Sequence, residues 1–371
     1  MTDRVEVWED VEAFRRQAER WNDLWARAPR GVPFLRAAAL DAWWRTLGPG
    51  GRAFAVTVGR SEMLIGGAVF CRVRRSVGVR LAGAPFFDYR DILVDERVDR
   101  VAVTAMLLDG VLTRGTAVDL GDIPQDSPTG DALSAYARRR GLTALRLAGY
   151  ACPFVDLASQ LPRGARRLDA KHRRTLTKRI GAAGARIDVV CEPAAIERAL
   201  PAVLDLHAAR MAQKRRRTPF ASGRGRTLLA ALCADFAASG DAEVAAIMVD
   251  RGAAAYAVSF VSRGRYYYYL TAYDTAYESL SPGSYLLAHL IDRAQAAGCR
   301  EFDLMKGDEP YKWRWSTGVQ ISSRWFLGGP DLPGRLKARA AFVGAAIRKR
   351  GRESRLARRI YEATGARATA V

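Results

Sequence analysis

A short stretch near residue 310 combines acidic, basic and aromatic side chains at a density that suggests a catalytic or binding site. It reads DEPYKWRW (308–315) and directly follows EFDLM (301–305), an apolar segment typical of a buried strand. Burying charges without partners is unfavourable, so we expect these side chains to gather in a polar cleft at the strand's end. Such a set combines carboxylates that could accept a proton with cations that could stabilise a developing negative charge or bind a phosphate.

The roles within this stretch follow from residue type. Asp308 and Glu309 are candidate bases, whereas Lys312 and Arg314 are candidate catalytic donors to an oxyanion or a phosphate. If residues 311–315 are extended, the two cations share one face of the chain. The alternative is an exposed edge whose cations pair only with the two acids. The opposite, aromatic face would line the substrate, and it consists of Tyr311, Trp313 and Trp315.

Further carboxylates stand in the first half of the chain, in FFDYRDILVDE (86–96). Asp88 is a candidate for holding or deprotonating an amine, and Tyr89 and Asp91 would line the acceptor beside it. The alternative is that they are turn carboxylates in solvent. Asp303, on the strand before the DEPYKWRW stretch, is either a structural acid or an acid lining the cleft.

A helix start in the second half could hold a phosphate. LSPGSYLL (280–287) offers Ser281 as N-cap, Pro282 in the first turn and Gly283 where backbone must approach a ligand. Helix N-termini bind anions through free N–H groups and the helix dipole. The alternative is an ordinary capped helix.

Basic residues cluster in three places, and the net charge is +20. Lys171, Arg174 and Lys178 have the spacing of one helical face, and a second run occupies 214–217. Residues 331–371 carry eleven Lys and Arg against three acids, and they predict a basic helix. These clusters favour an anionic partner, such as nucleic acid, a phosphorylated cofactor or an anionic membrane surface, over the alternative of solvated helix faces. The basic helix would dock along Leu336, Phe342, Ile347 and Leu356.

The elements that must position these residues repeat along the chain. Each half has three strands, then a helix, then a further strand. The last strands of the two halves have similar sequences, VDLGDIP (118–124) and FDLMKGDEP (302–310), roughly 185 residues apart. A repeat of this kind predicts a duplicated fold. We expect an α+β protein of two tandem domains, each a mixed, mostly antiparallel sheet flanked by helices. The domains would be 1–155 and 156–330, followed by the basic tail 331–371.

Composition excludes several classes. Five Cys stand singly and there are only three His, so neither a metal site nor a disulfide framework is expected. The N-terminus is charged and amphipathic rather than typical of a signal peptide. No apolar run is long enough to span a bilayer. We therefore expect a cytoplasmic protein.

The stretch SPGSYLLAHLIDRAQAAGCREFDLMKGDEPYKWRW (281–315) resembles the C-terminal half of FemAB-like and cellulose-biosynthesis acyltransferases of the GNAT superfamily. The likeness extends more loosely over roughly residues 50–325. It implies tandem GNAT domains and a pyrophosphate site near Ser281 and Gly283, although the usual Gln/Arg-x-x-Gly-x-Gly/Ala pattern is absent there. It also implies acyl-CoA or aminoacyl-tRNA as a co-substrate, with no tightly bound cofactor.

Two hypotheses follow. The first is an acyltransferase that moves an acyl or aminoacyl group to an amine or hydroxyl of a small molecule or envelope precursor. The high positive charge favours a polyanionic donor such as tRNA, because binding to it draws on counterion release over many contacts. The second is a non-catalytic basic protein that binds nucleic acid or an anionic membrane surface. An enzyme should bring the 308–314 stretch together with Asp88 or Ser281 in one cleft, whereas an adaptor should show a collapsed cleft. The oligomeric state is not determined by either.

Overall fold

The computed structural model describes residues 2–48, 52–73, 78–112, 117–158, 174–249 and 252–364, with side chains described up to residue 350. The first half contains strands β1 (Asp3–Trp8), β2 (Ala53–Arg60), β3 (Met63–Val73), β4 (Gly78–Leu81), β5 (Leu93–Val94), β6 (Ala117–Ile123) and β7 (Thr143–Asp156), and helices α1 (Val11–Arg16), α2 (Ala18–Arg27), α3 (Ala37–Leu47), α4 (Arg100–Leu112) and α5 (Thr129–Arg140).

The second half repeats this order. Its strands are β8 (Arg186–Val190), β9 (Ala242–Val249), β10 (Gly252–Ser262), β11 (Arg265–Tyr273), β12 (Glu301–Asp303) and β13 (Gly318–Gly328). Its helices are α6 (174–182), α7 (Pro193–Gln213), α8 (Gly223–Ala238), α9 (Pro282–Ala296), α10 (Pro310–Trp315) and α11 (Leu332–Thr364). Short 3-10 turns occupy Pro33–Leu35, Pro219–Ala221 and Thr275–Leu280.

All described strands belong to one continuous sheet. Its order is β1-β2-β3-β4-β6-β13-β7-β12-β11-β10-β9-β8, with β5 beside β3. The two halves of the sheet share one pattern of pairing. Each half has one parallel pair, β4 with β6 in the first half and β11 with β12 in the second, and the other described pairs are antiparallel. The predicted α+β class with a mixed, mostly antiparallel sheet is confirmed.

The two halves exchange their last strands. β13, from the second half, lies between β6 and β7 of the first half. In turn, β7 pairs with β12 of the second half, with Asp156 opposite Glu301. The sheet therefore passes through the middle of the molecule without an edge, and each half is completed by a strand of the other.

Aromatic packing also joins the halves beside the centre of the sheet. Phe34 stacks on Phe87, with ring centroids 5.2 Å apart, and meets the edge of Phe260 at 6.2 Å. Tyr269 lies against Phe34 at 5.2 Å and donates its hydroxyl hydrogen to the carbonyl of Phe86 at 2.8 Å. Aromatic pairs of this kind add to the stability gained from burial. The FFDY segment of the first half is thereby fixed against β11 of the second.

Strands β11 and β12 separate after a short parallel contact. They pair only over Arg265–Tyr267. Beyond that point β11 continues to Tyr273 with β10 as its only neighbour among the described strands. Within β11, Tyr269 is the extra residue of a β-bulge, because Val258 pairs with Leu270 and Ser259 with Tyr268. Bulges bend a strand and often lie beside functional sites. A gap consequently opens between β11 and the chain that follows β12.

Residues 310–315 form a helix, so the extended arrangement considered for them is wrong. Pro310 occupies the first turn of α10, where its missing N–H has no effect. Lys312 and Trp315, three residues apart, are buried on one side of the helix, whereas Trp313 and Arg314 are exposed. Lys312 and Arg314 therefore do not share a face.

Helix α11 confirms the predicted basic helix, but of the residues predicted to dock it only Phe342 is seen to do so. Phe342 packs edge-on against Phe326 of β13, with centroids 6.0 Å apart, whereas Leu336 and Ile347 are exposed. Leu356 lies outside the described side chains. In the part of the chain that the structure describes, no helix is long and apolar enough to cross a membrane.

Candidate active site between the separated strands

A cavity of about 790 Å³ fills the gap between β11 and the segment after β12. One wall is β11 from Tyr268 to Tyr273, and the opposite wall is the chain from Leu304 to Lys312. The end of α7 and the start of α9 close the sides, and Asp88 reaches the cavity from the first half. The cavity is therefore built from both halves of the chain.

The structure brings together part of the predicted site. The predicted residues that line the cavity are Asp88, Ser281, Gly283, Glu309, Tyr311 and Lys312. The 308–314 stretch, the FFDY segment and the SPGS helix start thus converge on one cleft, as expected of an enzyme rather than of an adaptor with a collapsed cleft.

Other predicted residues lie elsewhere. Asp308, Trp313 and Arg314 are exposed and do not line the cavity. Arg174 and Lys178 are exposed on α6 and do not line it either, and Lys171 lies outside the described residues. The direct catalytic role considered for Arg314 has no support in this arrangement, because helix α10 turns its side chain to solvent.

Asp303 and Tyr89 form a buried structural pair behind the cavity. The Tyr89 hydroxyl donates to Asp303 Oδ2 at 2.7 Å, and Asp303 Oδ1 accepts the backbone N–H of Met305 at 2.7 Å. Asp303 is 2% exposed, and burial raises its pKa. Of the two roles considered for Asp303, the structure favours the structural one, since its oxygens fix the chain as it leaves β12.

Asp91 is likewise occupied away from the cavity. Its Oδ1 accepts the backbone N–H of Ile92 at 2.8 Å. Burial raises the pKa of Asp91 despite the opposing influence of the Ser127 hydroxyl and the Ile92 N–H. It therefore stabilises the segment before β5 rather than lining the acceptor cleft.

Asp88 has the geometry and the pKa of a general base. It lies on the cavity wall, and its Oδ2 accepts the backbone N–H of Lys306 at 3.2 Å. Burial raises the pKa of Asp88 to about 6, against the opposing influence of Lys306 and Lys312. A carboxylate with a pKa near the working pH is well suited to accept and return a proton.

Lys312 fixes the turn that precedes α10. Its Nζ donates to the carbonyls of Met305 at 3.2 Å and Lys306 at 2.9 Å, and it pairs with Glu309 Oε2 at 3.2 Å. Two hydrogen bonds and one ion pair thus hold the ammonium against its own turn. The turn passes through Gly307 at φ +136°, where a Cβ would lie 2.9 Å from Lys312 Nζ. Lys312 is thus a positioning residue in this geometry.

Glu309 stays ionised beside Lys312. Burial raises the pKa of Glu309, but Lys312, a backbone hydrogen bond and Arg216 together outweigh it and the pKa is lowered. Arg216 Nη1 lies 3.5 Å from Glu309 Oε1. A carboxylate held in its charged form by two cations is a weak base, which leaves Asp88 as the stronger candidate.

The cationic wall of the cavity comes from α7 and the residues that follow it. Of the 214–217 run, Lys214 and Arg216 line the cavity. Arg210, which the sequence did not single out, lies 4.3 Å above the Tyr273 ring and donates to its hydroxyl. Burial lowers the pKa of Lys214, and the neighbouring Arg210 and Arg216 lower it further. Five Lys and Arg side chains line the cavity against three carboxylates, and this excess of positive charge is typical of a site that receives an anion.

Lys306 and His207 are two further polar residues of the cavity that sequence reasoning missed. Lys306 Nζ lies 3.2 Å from Asp122 Oδ2 and 4.0 Å from the centroid of the Tyr150 ring, so the first half anchors it. His207 Nε2 lies 3.0 Å from the Thr218 hydroxyl, and burial lowers the pKa of His207. The position of Lys306 within FDLMKGDEP was the only available signal, since its partners are distant in sequence.

The start of α9 lies at the cavity but is capped differently from the prediction. Ser281 occupies the N-cap position in the left-handed region at φ +53°, and its side chain caps no N–H. Ser281, Gly283 and Ser284 line the cavity. The first N–H groups of a helix lack partners within it, so this end of the cavity suits an anion.

The described residues hold no group of His, Cys, Asp and Glu side chains that could bind a metal ion. The five cysteines are free, and four of them are buried.

Comparison with known proteins agrees with the fold. Residues 170–313 match the model of the acetyltransferase (GNAT) domain. No curated protein matches the sequence. Among solved structures, FemX shares 11% identity over 84% of this chain and 95% of its own, with a TM-score of 0.60.

Two further structures resemble the chain to a similar degree. The C-terminal domain of a putative lysylphosphatidylglycerol synthetase from Agrobacterium fabrum is 14% identical over 89% of this chain and 97% of its own, with a TM-score of 0.58. L-PGS from Bacillus licheniformis is 13% identical over 89% of this chain and 96% of its own, with a TM-score of 0.56. At these identities the likeness shows the fold alone, an acyltransferase-type GNAT fold.

Proposed function

We propose that the protein transfers an acyl or aminoacyl group from aminoacyl-tRNA or acyl-CoA to an amine or hydroxyl of a small molecule or envelope precursor. The observation that carries the proposal is the position of Asp88, a carboxylate with a pKa of about 6, on the wall of a cavity rich in cations. The GNAT-domain match over residues 170–313 supports the reaction class. The site of action would be the cytoplasm.

In this mechanism Asp88 takes a proton from the acceptor's amine or hydroxyl as the nucleophile attacks the acyl carbonyl carbon. A tetrahedral intermediate forms and collapses, breaking the bond to the carrier. The proton passes from Asp88 to the departing oxygen or sulfur. Backbone N–H groups along the separated edge of β11, beyond Tyr267, would stabilise the oxyanion.

The donor's phosphates would lie against Arg210, Lys214, Arg216 and the start of α9. Removal of several phosphates from water is compensated by cations and helix N–H groups in the same cleft. The exposed basic face of α6, with Arg174 and Lys178, would extend this attraction to a large polyanion such as tRNA. The net charge of +20 favours this donor over acyl-CoA.

We further propose that the catalytic unit is 156–330, completed by the 1–155 unit, which supplies Asp88. The remaining tail, 331–371, takes no part in the chemistry. Neither unit would form the cleft alone, because Asp88 and β12 come from different halves.

Native mass spectrometry tests the proposal directly. The purified protein is mixed in turn with acyl-CoA species and with aminoacyl-tRNA, and the mass of bound donor is read. Binding of one donor class, followed by transfer to an added amine, supports the proposal. If neither donor binds and no acyl group moves to any acceptor, the non-catalytic alternative replaces it.

A further inference from the structure

Helix α11 presents an apolar stripe to solvent. Leu332, Leu336, Val343 and Ile347 are 66%, 54%, 53% and 65% exposed. Their spacing of four, seven and four residues places them within about 60° of one another around the helix. Of nine large apolar side chains that are exposed in the described part of the chain, four lie on this one helix.

The opposite face of α11 is already used. Ala338 is fully buried and Ala345 is 3% exposed, and together with Phe342 they pack against Phe326 and its neighbours on β7 and β13. The outer stripe is therefore not required for docking the helix to the sheet. An apolar stripe retained on the outer face of a helix that is already docked needs another explanation.

Positive charge surrounds the stripe. Residues 331–350 contain six Lys and Arg against a single acid, Asp331, and the chain beyond 350 adds five arginines and two acids. The carboxylate of Asp331 accepts the backbone N–H of Gly334 at 3.1 Å and so belongs to the start of the helix. The cations of this segment are Arg335, Lys337, Arg339, Arg348, Lys349 and Arg350.

We propose that the outer face of α11 docks on an anionic lipid surface, with its four aliphatic side chains between the headgroups. A helix with an apolar stripe and a basic surround lies in a membrane interface in this way. A second copy of the chain is a poorer partner, because two such helices would bring like charges together. Nucleic acid would meet the cations but would gain nothing from the aliphatic stripe.

The proposal goes beyond the transfer reaction and does not depend on it. The helix anchors without spanning, and its binding depends on both the apolar and the basic residues.

The test is co-sedimentation of the full chain with vesicles of phosphatidylglycerol and phosphatidylcholine in equal amounts, compared with pure phosphatidylcholine. The parental protein should bind the anionic vesicles and release them at high salt, where the Debye length falls from about 10 Å to about 3 Å. The double variant Val343→Asp with Ile347→Asp should bind about tenfold more weakly for each aliphatic side chain lost.

A matched control introduces the same two charges elsewhere. Val5→Asp with Met63→Asp replaces exposed apolar residues of β1 and β3, which are 37% and 50% exposed, and should bind as the parental protein does. A third variant changes three cations of α11 to Gln, at Arg335, Lys337 and Arg339. It should weaken binding roughly 100-fold, at about fivefold for each charge.

Four outcomes would overturn the proposal. The first is a parental protein that does not bind anionic vesicles. The second is an α11 double variant that binds them no more weakly than the β1 and β3 control. The third is a parental dimer in analytical ultracentrifugation that the α11 variant dissociates while vesicle binding is unchanged, and the stripe would then belong to a protein interface. The fourth is retention of tRNA that the same variant abolishes while vesicle binding is unchanged, and the stripe would then belong to a nucleic-acid interface.

Discussion

Replacement of Asp88 by Asn should remove the base and leave the fold intact. Asn keeps the acceptor oxygen that meets the Lys306 N–H at 3.2 Å, so the segment stays in place. General-base catalysis contributes typically about 10²–10⁴ in rate. We therefore expect kcat/KM for Asp88→Asn to fall by about two to four orders of magnitude under donor-saturating conditions.

The pH dependence follows from the pKa of Asp88, about 6. The base must be ionised, so the rate should be half-maximal near pH 6 and fall about tenfold per pH unit below it. At pH 8 essentially all of the protein is active, whereas at pH 5 about a tenth is. The Asn variant should lose this acidic limb together with its activity.

The free energy of unfolding should change with pH in the opposite direction to the activity. The pKa of Asp88 is raised above its usual value in the folded state, so the folded protein binds the proton more tightly than the unfolded chain does. The ionised carboxylate therefore lowers stability once the pH rises above its unfolded pKa, and fully so above about pH 6. Asp88→Asn removes this penalty, and its melting temperature at pH 8 should equal or exceed that of the parental protein.

The control is Asp308→Asn, a neighbouring acid that is exposed and does not line the cavity. It should turn over at the parental rate. The reasoning is refuted if Asp88→Asn retains activity within tenfold of the parental protein and keeps an unchanged pH profile. It is equally refuted if Asp308→Asn shows the larger loss, because the base would then lie outside the cavity.

Three further predictions use the same structure. Lys312→Met should lower the free energy of unfolding by about 2 kcal/mol, because the carbonyls of Met305 and Lys306 lose their donor and Glu309 keeps only Arg216 as an ionic partner. Arg314→Met on the same helix should change the free energy of unfolding by less than about 0.5 kcal/mol in denaturant titrations. The double variant Lys214→Glu with Arg216→Glu should weaken donor binding and make it less dependent on salt concentration. The control, Arg217→Glu, changes a residue outside the cavity and should have a smaller effect. Equal effects in a binding titration would mean that residues 214–217 are only a solvated surface. EDTA or a reductant should leave the melting temperature unchanged, and a fall would reveal a metal or a disulfide.

Hydrophobic periodicity predicted the elements well, because buried strands and amphipathic helices each impose their period on the sequence. The repeated order of three strands, a helix and a strand is visible in both halves. The pairing of β13 with β6 and β7 was not predictable, since nothing local in residues 318–328 indicates partners that lie 164 to 211 positions earlier in the chain.

The sequence predicted several residues of the site but not how they are arranged. Glu309, Tyr311 and Lys312 lie in the cleft, but the helical turn that begins at Pro310 separates Lys312 from Arg314. Pro310, a residue favoured in the first turn of a helix, was a helix signal that the extended interpretation overlooked. His207 and Arg210 line the site because α7 packs on β11. That packing depends on tertiary structure, so no sequence pattern indicated it.

The exchange of β7 and β13 also constrains how the chain can be synthesised. While the ribosome is still making the second half, β6 and β7 lack the strand that will lie between them, and their hydrogen-bonding edges stay open. Only when residues 318–328 emerge can the centre of the sheet close. A nascent chain of this protein would therefore be an early client of chaperones, and truncation before β13 should yield an aggregating fragment instead of a folded first half.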